Sequence, residues 1–378
     1  MDPAKQPQAP RPGGSGVLMS IQALRGIATF VVILAHIQLY VAGKMNLPDL
    51  LPFNGVVGAA VDSFFVVSGF IMVYASERLF GQPGGTRIFF LRRLARILPM
   101  YWVTTTFVVI YLIATYGSLE AGGAPLSYVF ASYFFIPTTR PDGWGTPVHG
   151  VAWTLNYEMF FYMLFGCFVF LSRRRIVVVL STIFIALVLI ALAFGPFPNP
   201  WAFWSYALIL EFVLGMVLAL LYRDGLRIGA AAYWALLAVA TAILIWSAWR
   251  GDFFPPSANE RLFIWGFPTF LIVAALVLSR TPALTGPFWR FWGFIGDASY
   301  SVYLIHTLTI ALPRLLLARY IAPADAPWLY VGLMVVLAFV PGILAYVYLE
   351  KPLLDYFQRK IEGDRKKPAV PMAATPPP

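Results

Sequence analysis

Residues 20–43 read SIQALRGIATFVVILAHIQLYVAG, an apolar run with two basic side chains, Arg25 and His36. A helix needs about 20 predominantly apolar residues to cross the hydrocarbon core of a bilayer, and this stretch supplies them. At 100° per residue, eleven steps return to nearly the same azimuth, so Arg25 and His36 share one helix face, roughly 16 Å apart along the axis. Ionisable groups inside a membrane helix are costly, face a protein interior or a wet cavity, and mark function. The pair reads as a cationic anchor at one depth and a titratable base at another.

The rest of the chain repeats this apolar character. With 60% hydrophobic residues, 12% charged residues and a mean hydropathy of +0.76, a water-soluble fold would have almost nothing with which to cover its surface. Ten runs of spanning length follow, at approximately 19–42, 55–75, 97–116, 151–171, 176–195, 201–222, 229–249, 262–279, 291–312 and 328–350. They predict an all-α polytopic membrane protein of about ten transmembrane helices. Of the 27 Lys and Arg residues, 21 fall on the side that holds both termini, which the positive-inside rule makes cytoplasmic. The net charge of +10 is thus mainly a topology signal. It is scattered over short loops, and no nucleic-acid partner is expected. One cysteine, Cys167, leaves no disulfide framework, and no metal site is expected. Residues 1–18 read as a disordered cytoplasmic tail, 19–356 as the transmembrane domain and 357–378 as a second, largely disordered cytoplasmic tail.

Counted inward from the non-cytoplasmic ends of their spans, His36, Asp62, Glu158 and His306 each lie about six to eight residues deep, which predicts one layer roughly 9–12 Å below that surface. A carboxylate beside a histidine fixes its tautomer and raises its basicity, so Asp62 or Glu158 is expected to orient His36 as a general base. Ser299, Tyr303 and His306 follow i, i+4, i+7 spacing and share a face. Glu211, midway along another span, reads equally well as a helix-packing partner. At the opposite surface, RIFFLRRLARILPMYW places Arg92, Arg93 and Arg96 at the cytoplasmic mouth of the third span. Positive-inside bias alone puts arginines there, yet guanidinium forks also match phosphate oxygens, and Arg25 lies on the same side. The ligand implied is long, with a phosphate end at Arg25, Arg92, Arg93 and Arg96 and a reactive end at His36. Acyl coenzyme A has that form, as a donor substrate and not a permanently bound cofactor.

Several segments together resemble the membrane-bound acyltransferase-3 family, of the O-antigen acetylase type. LRGIATFVVILAH is similar to its first-helix Arg-x10-His motif, VDSFFVVSGF to its second-helix signature and FFLRRLARILPMYW to its arginine-rich third helix, while SYSVYLIH and YLEKP are similar to its late histidine and terminal motifs. AWTLNYEMFFYMLF is especially similar to the bacterial exopolysaccharide-production acetyltransferases, with Ala152 where they carry glycine. The resemblance covers residues 19 to about 356. It implies transfer of an acyl group, usually acetyl, from acetyl coenzyme A or another acyl coenzyme A to a sugar hydroxyl in an exopolysaccharide or a lipid-linked oligosaccharide, in the bacterial cytoplasmic (inner) membrane. By motif position it makes Arg25 and His36 essential, Arg93 and Arg96 the third-helix contacts, and Glu158 and His306 supporting residues. The partners implied are acyl coenzyme A, the sugar acceptor, membrane lipids and proteins of exopolysaccharide biosynthesis. The alternatives are an acyltransferase for a non-polysaccharide small molecule, a proton-coupled transporter, for which no two-fold repeat is visible, and a non-catalytic scaffold, which would leave the histidines unexplained.

Overall fold

The computed structural model describes residues 14–48, 50, 57–139, 145–250, 258–280 and 284–366. Its α-helices, in chain order, are α1 (Gly14–Met45), α2 (Val57–Ala75), α3 (Gly85–Tyr116), α4 (Leu126–Tyr133), α5 (Trp153–Phe168), α6 (Arg173–Phe194), α7 (Trp201–Trp204) and α8 (Leu210–Arg223), then α9 (Ala230–Trp249), α10 (Ala258–Arg261), α11 (Phe267–Leu278), α12 (Pro287–Thr309), α13 (Leu312–Leu317), α14 (Pro327–Ala345) and α15 (Lys351–Lys366). There is no strand among the described residues, only an isolated bridge between Ile228 and Ser279.

Seven helical stretches among the described residues are long and apolar enough to cross a bilayer: Val17–Met45, Val57–Ala75, Gly85–Tyr116, Arg173–Phe194, Ala230–Trp249, Pro287–Leu317 and Pro327–Ile361. The chain is an all-α polytopic membrane protein. The other three expected spans have a different build. Residues 151–171 reduce to the 16-residue α5, and 201–222 are divided among α7, a 3-10 turn at Ala207–Ile209 and the 14-residue α8. Residues 262–279 open with a wide π turn at Leu262–Gly266 before α11.

Two boundaries move with consequences for the site. α3 starts at Gly85, twelve residues before the apolar run, so Arg92, Arg93 and Arg96 sit two to three turns into a helix that continues into that run. Helix α15 runs to Lys366, so residues 357–366, expected to belong to the tail, are helical. Residues 1–13 and 367–378 of the two expected tails lie outside the described residues.

The most extensive contact between two helices is the α1–α12 seam. Gly293 faces Met19, Gly296 faces the Gln22 carbonyl, Arg25 bonds Ser299 and the ring of His36 lies beside that of His306, so the residue numbers rise together and the helices are parallel; Gly26 faces the Trp292 carbonyl. In a membrane, small residues allow such backbone approach, and dispersion gathers along the seam. A second seam joins α2 and α8, where Gly69 and Gly215 lie against each other's backbones.

At the outer part of α2 the fully buried Asp62 pairs with Arg261 at 2.5 Å, and the equally buried Glu211 of α8 lies within electrostatic range of both. Gly266, within the π turn, leaves room for the Glu211 carboxyl: a Cβ there would come within 2.6 Å of its Oε1. Arg261→Ala would strand two buried carboxyls without their cation. A loss of about 3–5 kcal/mol is expected for breaking a buried pair by removing one partner, read as a lower melting midpoint in detergent. An unchanged midpoint would show that the pair is not structural.

Candidate active site

α1 and α12 carry the site between them. Gln22 donates from Nε2 to Asp297 Oδ1 at 2.6 Å, and Arg25 donates to Gln22 Oε1 at 3.0 Å and to Ser299 Oγ at 2.7 Å. Further along the same pair of helices, the rings of His36 and His306 lie 4.9 Å apart. The expected shared face of Ser299, Tyr303 and His306 therefore exists, and it runs from the arginine end to the histidine end.

A cavity of about 150 Å³ opens at the arginine end. Arg25, Arg93 and Arg96 line it from two helices, with Glu158, Ser68 and Tyr162 opposite. Arg96 is bound to Glu350 at 2.6 Å, and Glu350 also accepts a hydrogen bond from Ser301 Oγ at 2.5 Å. Glu350 reaches this position because the chain widens into a π turn at Tyr346–Glu350, after α14. Glu158 accepts from Ser68 Oγ at 3.1 Å and from the Tyr162 hydroxyl. Arg93 makes no ion pair among the described residues; its guanidinium lies 5.8 Å from the Phe89 ring and 5.7 Å from that of Tyr162. Three guanidiniums and one carboxylate, Glu158, line the cavity, so positive charge is in surplus at its wall, as an anionic ligand requires; Glu350 and Asp297 lie behind Arg96 and Arg25. Arg92, expected in the same clamp, does not line the cavity.

The hydrogen bonds of the two histidines define their tautomers, because a backbone carbonyl only accepts. His36 Nδ1 lies 2.9 Å from the Val32 carbonyl and His306 Nδ1 lies 2.6 Å from that of Tyr303, so each donates from Nδ1 and keeps its lone pair on Nε2. His306 Nε2 is buried without a partner, while His36 retains partial exposure. The geometry offers a base at His36 Nε2 with a second imidazole beside it.

The expected single layer of four titratable groups is corrected here. Neither carboxylate orients His36; a backbone carbonyl one turn earlier does. Asp62 is engaged by Arg261, and Glu158 belongs with the arginines. Its partner Ser68 is six residues along α2 from Asp62, roughly 9 Å. The reason is the approach to α5. His149, before its first turn, is already buried and donates from Nε2 to the Leu304 carbonyl at 2.9 Å, so counting from residue 151 as a surface position places Glu158 too high.

Two residues escaped the reading of the sequence. His149 is one of only three histidines in the chain, and it interacts electrostatically with His306, as His36 does, so all three converge. Burial pushes the His149 pKa down to about 4, which keeps it neutral at physiological pH. Its rarity was the available signal. Glu350 lies in the YLEKP segment already quoted, a lone carboxylate at the end of the last apolar run, but its pairing with Arg96 was not read from it.

Residues 19–347 match the family model of the acyltransferase domain that defines the acyltransferase-3 family. The chain belongs to that family. This membrane acyltransferase is 32% identical over 317 residues to the exopolysaccharide production protein ExoZ of Rhizobium meliloti (strain 1021), an alignment covering 79% of the chain and 90% of the relative. It is 27% identical over 375 residues to the acyltransferase MdmB of Streptomyces mycarofaciens, covering 91% of the chain and 93% of the relative. No solved structure matches it. Family membership selects acyl transfer over the transporter and scaffold readings.

Proposed function

We propose that the enzyme moves an acetyl or other short acyl group from acyl coenzyme A to a sugar hydroxyl of an exopolysaccharide or its lipid-linked precursor, in the bacterial cytoplasmic membrane with both termini inside. The observation that carries this reading is the two-ended α1–α12 seam, with surplus arginine charge at a cavity on one end and a histidine with a free Nε2 on the other. Arg25, Arg93 and Arg96 bind phosphate oxygens of the donor, with Glu350 holding Arg96 in place and Glu158 setting the opposite wall. His36 Nε2 takes the proton from the acceptor hydroxyl as its oxygen attacks the thioester carbonyl. The carbon–oxygen ester bond forms, the carbon–sulfur bond breaks, and the proton passes from His36 to the departing thiolate. His306 steadies the imidazolium at its side. Asp62 supports the helix frame through Arg261 and does not touch the reacting atoms. The name of the relative ExoZ supports the choice of a polysaccharide acceptor.

The test is proton NMR of exopolysaccharide purified from the native bacterium with and without the gene. Loss of an O-acyl signal, restored by the wild-type gene, is expected; unchanged acylation would reject the polysaccharide acceptor. For the donor, Arg25→Ala is expected to raise the KM for acetyl coenzyme A by about 10- to 100-fold, since a hydrogen bond to a charged group contributes roughly 1.5–3 kcal/mol. An unchanged KM with altered kcat would refute the binding assignment.

A further inference from the structure

Among the described residues that line the cavity, Glu158 is the one acidic side chain, and it lies within electrostatic range of Arg25. A carboxylate there repels the phosphate oxygens that the guanidiniums attract, so it weakens the binding of a ligand that offers phosphate alone. The carboxylate is also held in one orientation. Ser68 Oγ donates to Glu158 Oε1 at 3.1 Å, and the Tyr162 hydroxyl donates to the same oxygen. Oε2 takes neither bond and is not sealed in the packing, so it stands as an acceptor on the cavity wall.

The position of Glu158 decides which part of a donor meets it. Tyr162, Glu158 and Thr154 follow one another at intervals of four on α5, so they share one face of that helix over roughly 12 Å, and all three line the cavity. At one end the Tyr162 ring lies 5.7 Å from the Arg93 guanidinium. At the other, Thr154 Oγ1 lies 3.2 Å from the Tyr303 hydroxyl, and the Tyr303 ring lies 5.8 Å from that of His306. Glu158 therefore stands between the arginine end and the histidine end. In acyl coenzyme A the stretch between the phosphates and the thioester is the pantetheine arm, which carries a hydroxyl close to the phosphates and two secondary amides further on. The adenine lies on the far side of the phosphates. Resting on the acyl coenzyme A reading above, we propose that Glu158 Oε2 accepts a hydrogen bond from an amide N–H of the pantetheine arm, and that this bond selects the whole donor over phosphate ligands that lack the arm. The carboxylate opposes any anion that brings no N–H and favours the one that does.

The test titrates the full-length enzyme in detergent, by calorimetry, with coenzyme A and with adenosine 3′,5′-bisphosphate, a nucleotide end without the arm. In Glu158→Gln the hydroxyls of Ser68 and Tyr162 keep the amide oxygen on their side and put the NH2 group where Oε2 stood, so a donor faces a donor. Its Kd for coenzyme A is expected to rise about tenfold or more, while that for the bisphosphate falls, because a negative charge has left the clamp. Glu158→Asp keeps the charge and draws the oxygen back by one methylene, and it carries the test if the glutamine variant does not fold. Coenzyme A is expected to bind it about fivefold or more weakly, with the bisphosphate within about twofold of wild type. Tighter binding of both ligands by Glu158→Gln would overturn the hydrogen bond and leave the carboxylate a charge in the wall. Weaker binding of both would put the contact on the nucleotide and overturn it as well, as would unchanged binding of coenzyme A by either variant. A wild-type enzyme that binds neither ligand overturns the donor reading itself, a different and recognisable failure.

Discussion

His36→Ala is expected to cut acyl transfer by about 10²- to 10⁴-fold, the usual contribution of a positioned general base, while leaving the protein folded. The second half of that expectation follows from the hydrogen bonding. Among the described residues the hydrogen bond of the His36 ring goes to the Val32 carbonyl of its own helix, four residues back, which also accepts the ordinary helical bond. Losing the imidazole therefore costs about 1 kcal/mol and opens no buried polar orphan on α1. Thiol release from acetyl coenzyme A measures the first part, and the melting midpoint in detergent the second. Retention of more than a tenth of the wild-type rate would remove His36 from the base role.

The largest structural effect is expected at the α1–α12 seam. A Cβ on Gly296 would lie 1.8 Å from the Gln22 carbonyl oxygen, and one on Gly26 would lie 2.2 Å from that of Trp292. These obstacles are backbone, so no rotamer change relieves them and the helices must separate. Gly296→Leu is expected to cost at least about 1–3 kcal/mol from overpacking and also to abolish activity, because the Arg25–Ser299 and Gln22–Asp297 bonds cross the same seam. Gly332→Ala on α14, where a Cβ would meet nothing within 4 Å, is the control and is expected to be neutral or slightly stabilising. If Gly296→Leu melts and turns over like the control, the close seam is refuted.

Much of this architecture was legible in residue order. Apolar runs of spanning length identified the membrane class, since backbone groups in hydrocarbon leave few other solutions. The eleven-residue interval between Arg25 and His36, and the i, i+4, i+7 interval on α12, survive because helical periodicity is local. The partners of the carboxylates did not read through. Asp62 meets Arg261 across 199 residues of chain, with Glu211 beside them, and no periodicity encodes that contact. Depth was misjudged for Glu158 because the connection before α5 folds inward. His149 and Glu350 act through tertiary contacts alone, with Leu304 and with Arg96 and Ser301.

The interval on α1 also works as a measuring stick. Arg25 and His36 are graduations on a single rigid rod, spaced by roughly 16 Å of helix that cannot stretch, and α12 lies beside it as a parallel scale. A donor grasped at the arginine mark presents its carbonyl at the histidine mark only if its own arm matches that interval. Truncated thioesters lacking the nucleotide end would then forfeit turnover as well as affinity, since the anchoring that aligns the reacting carbon is lost with the remote contacts.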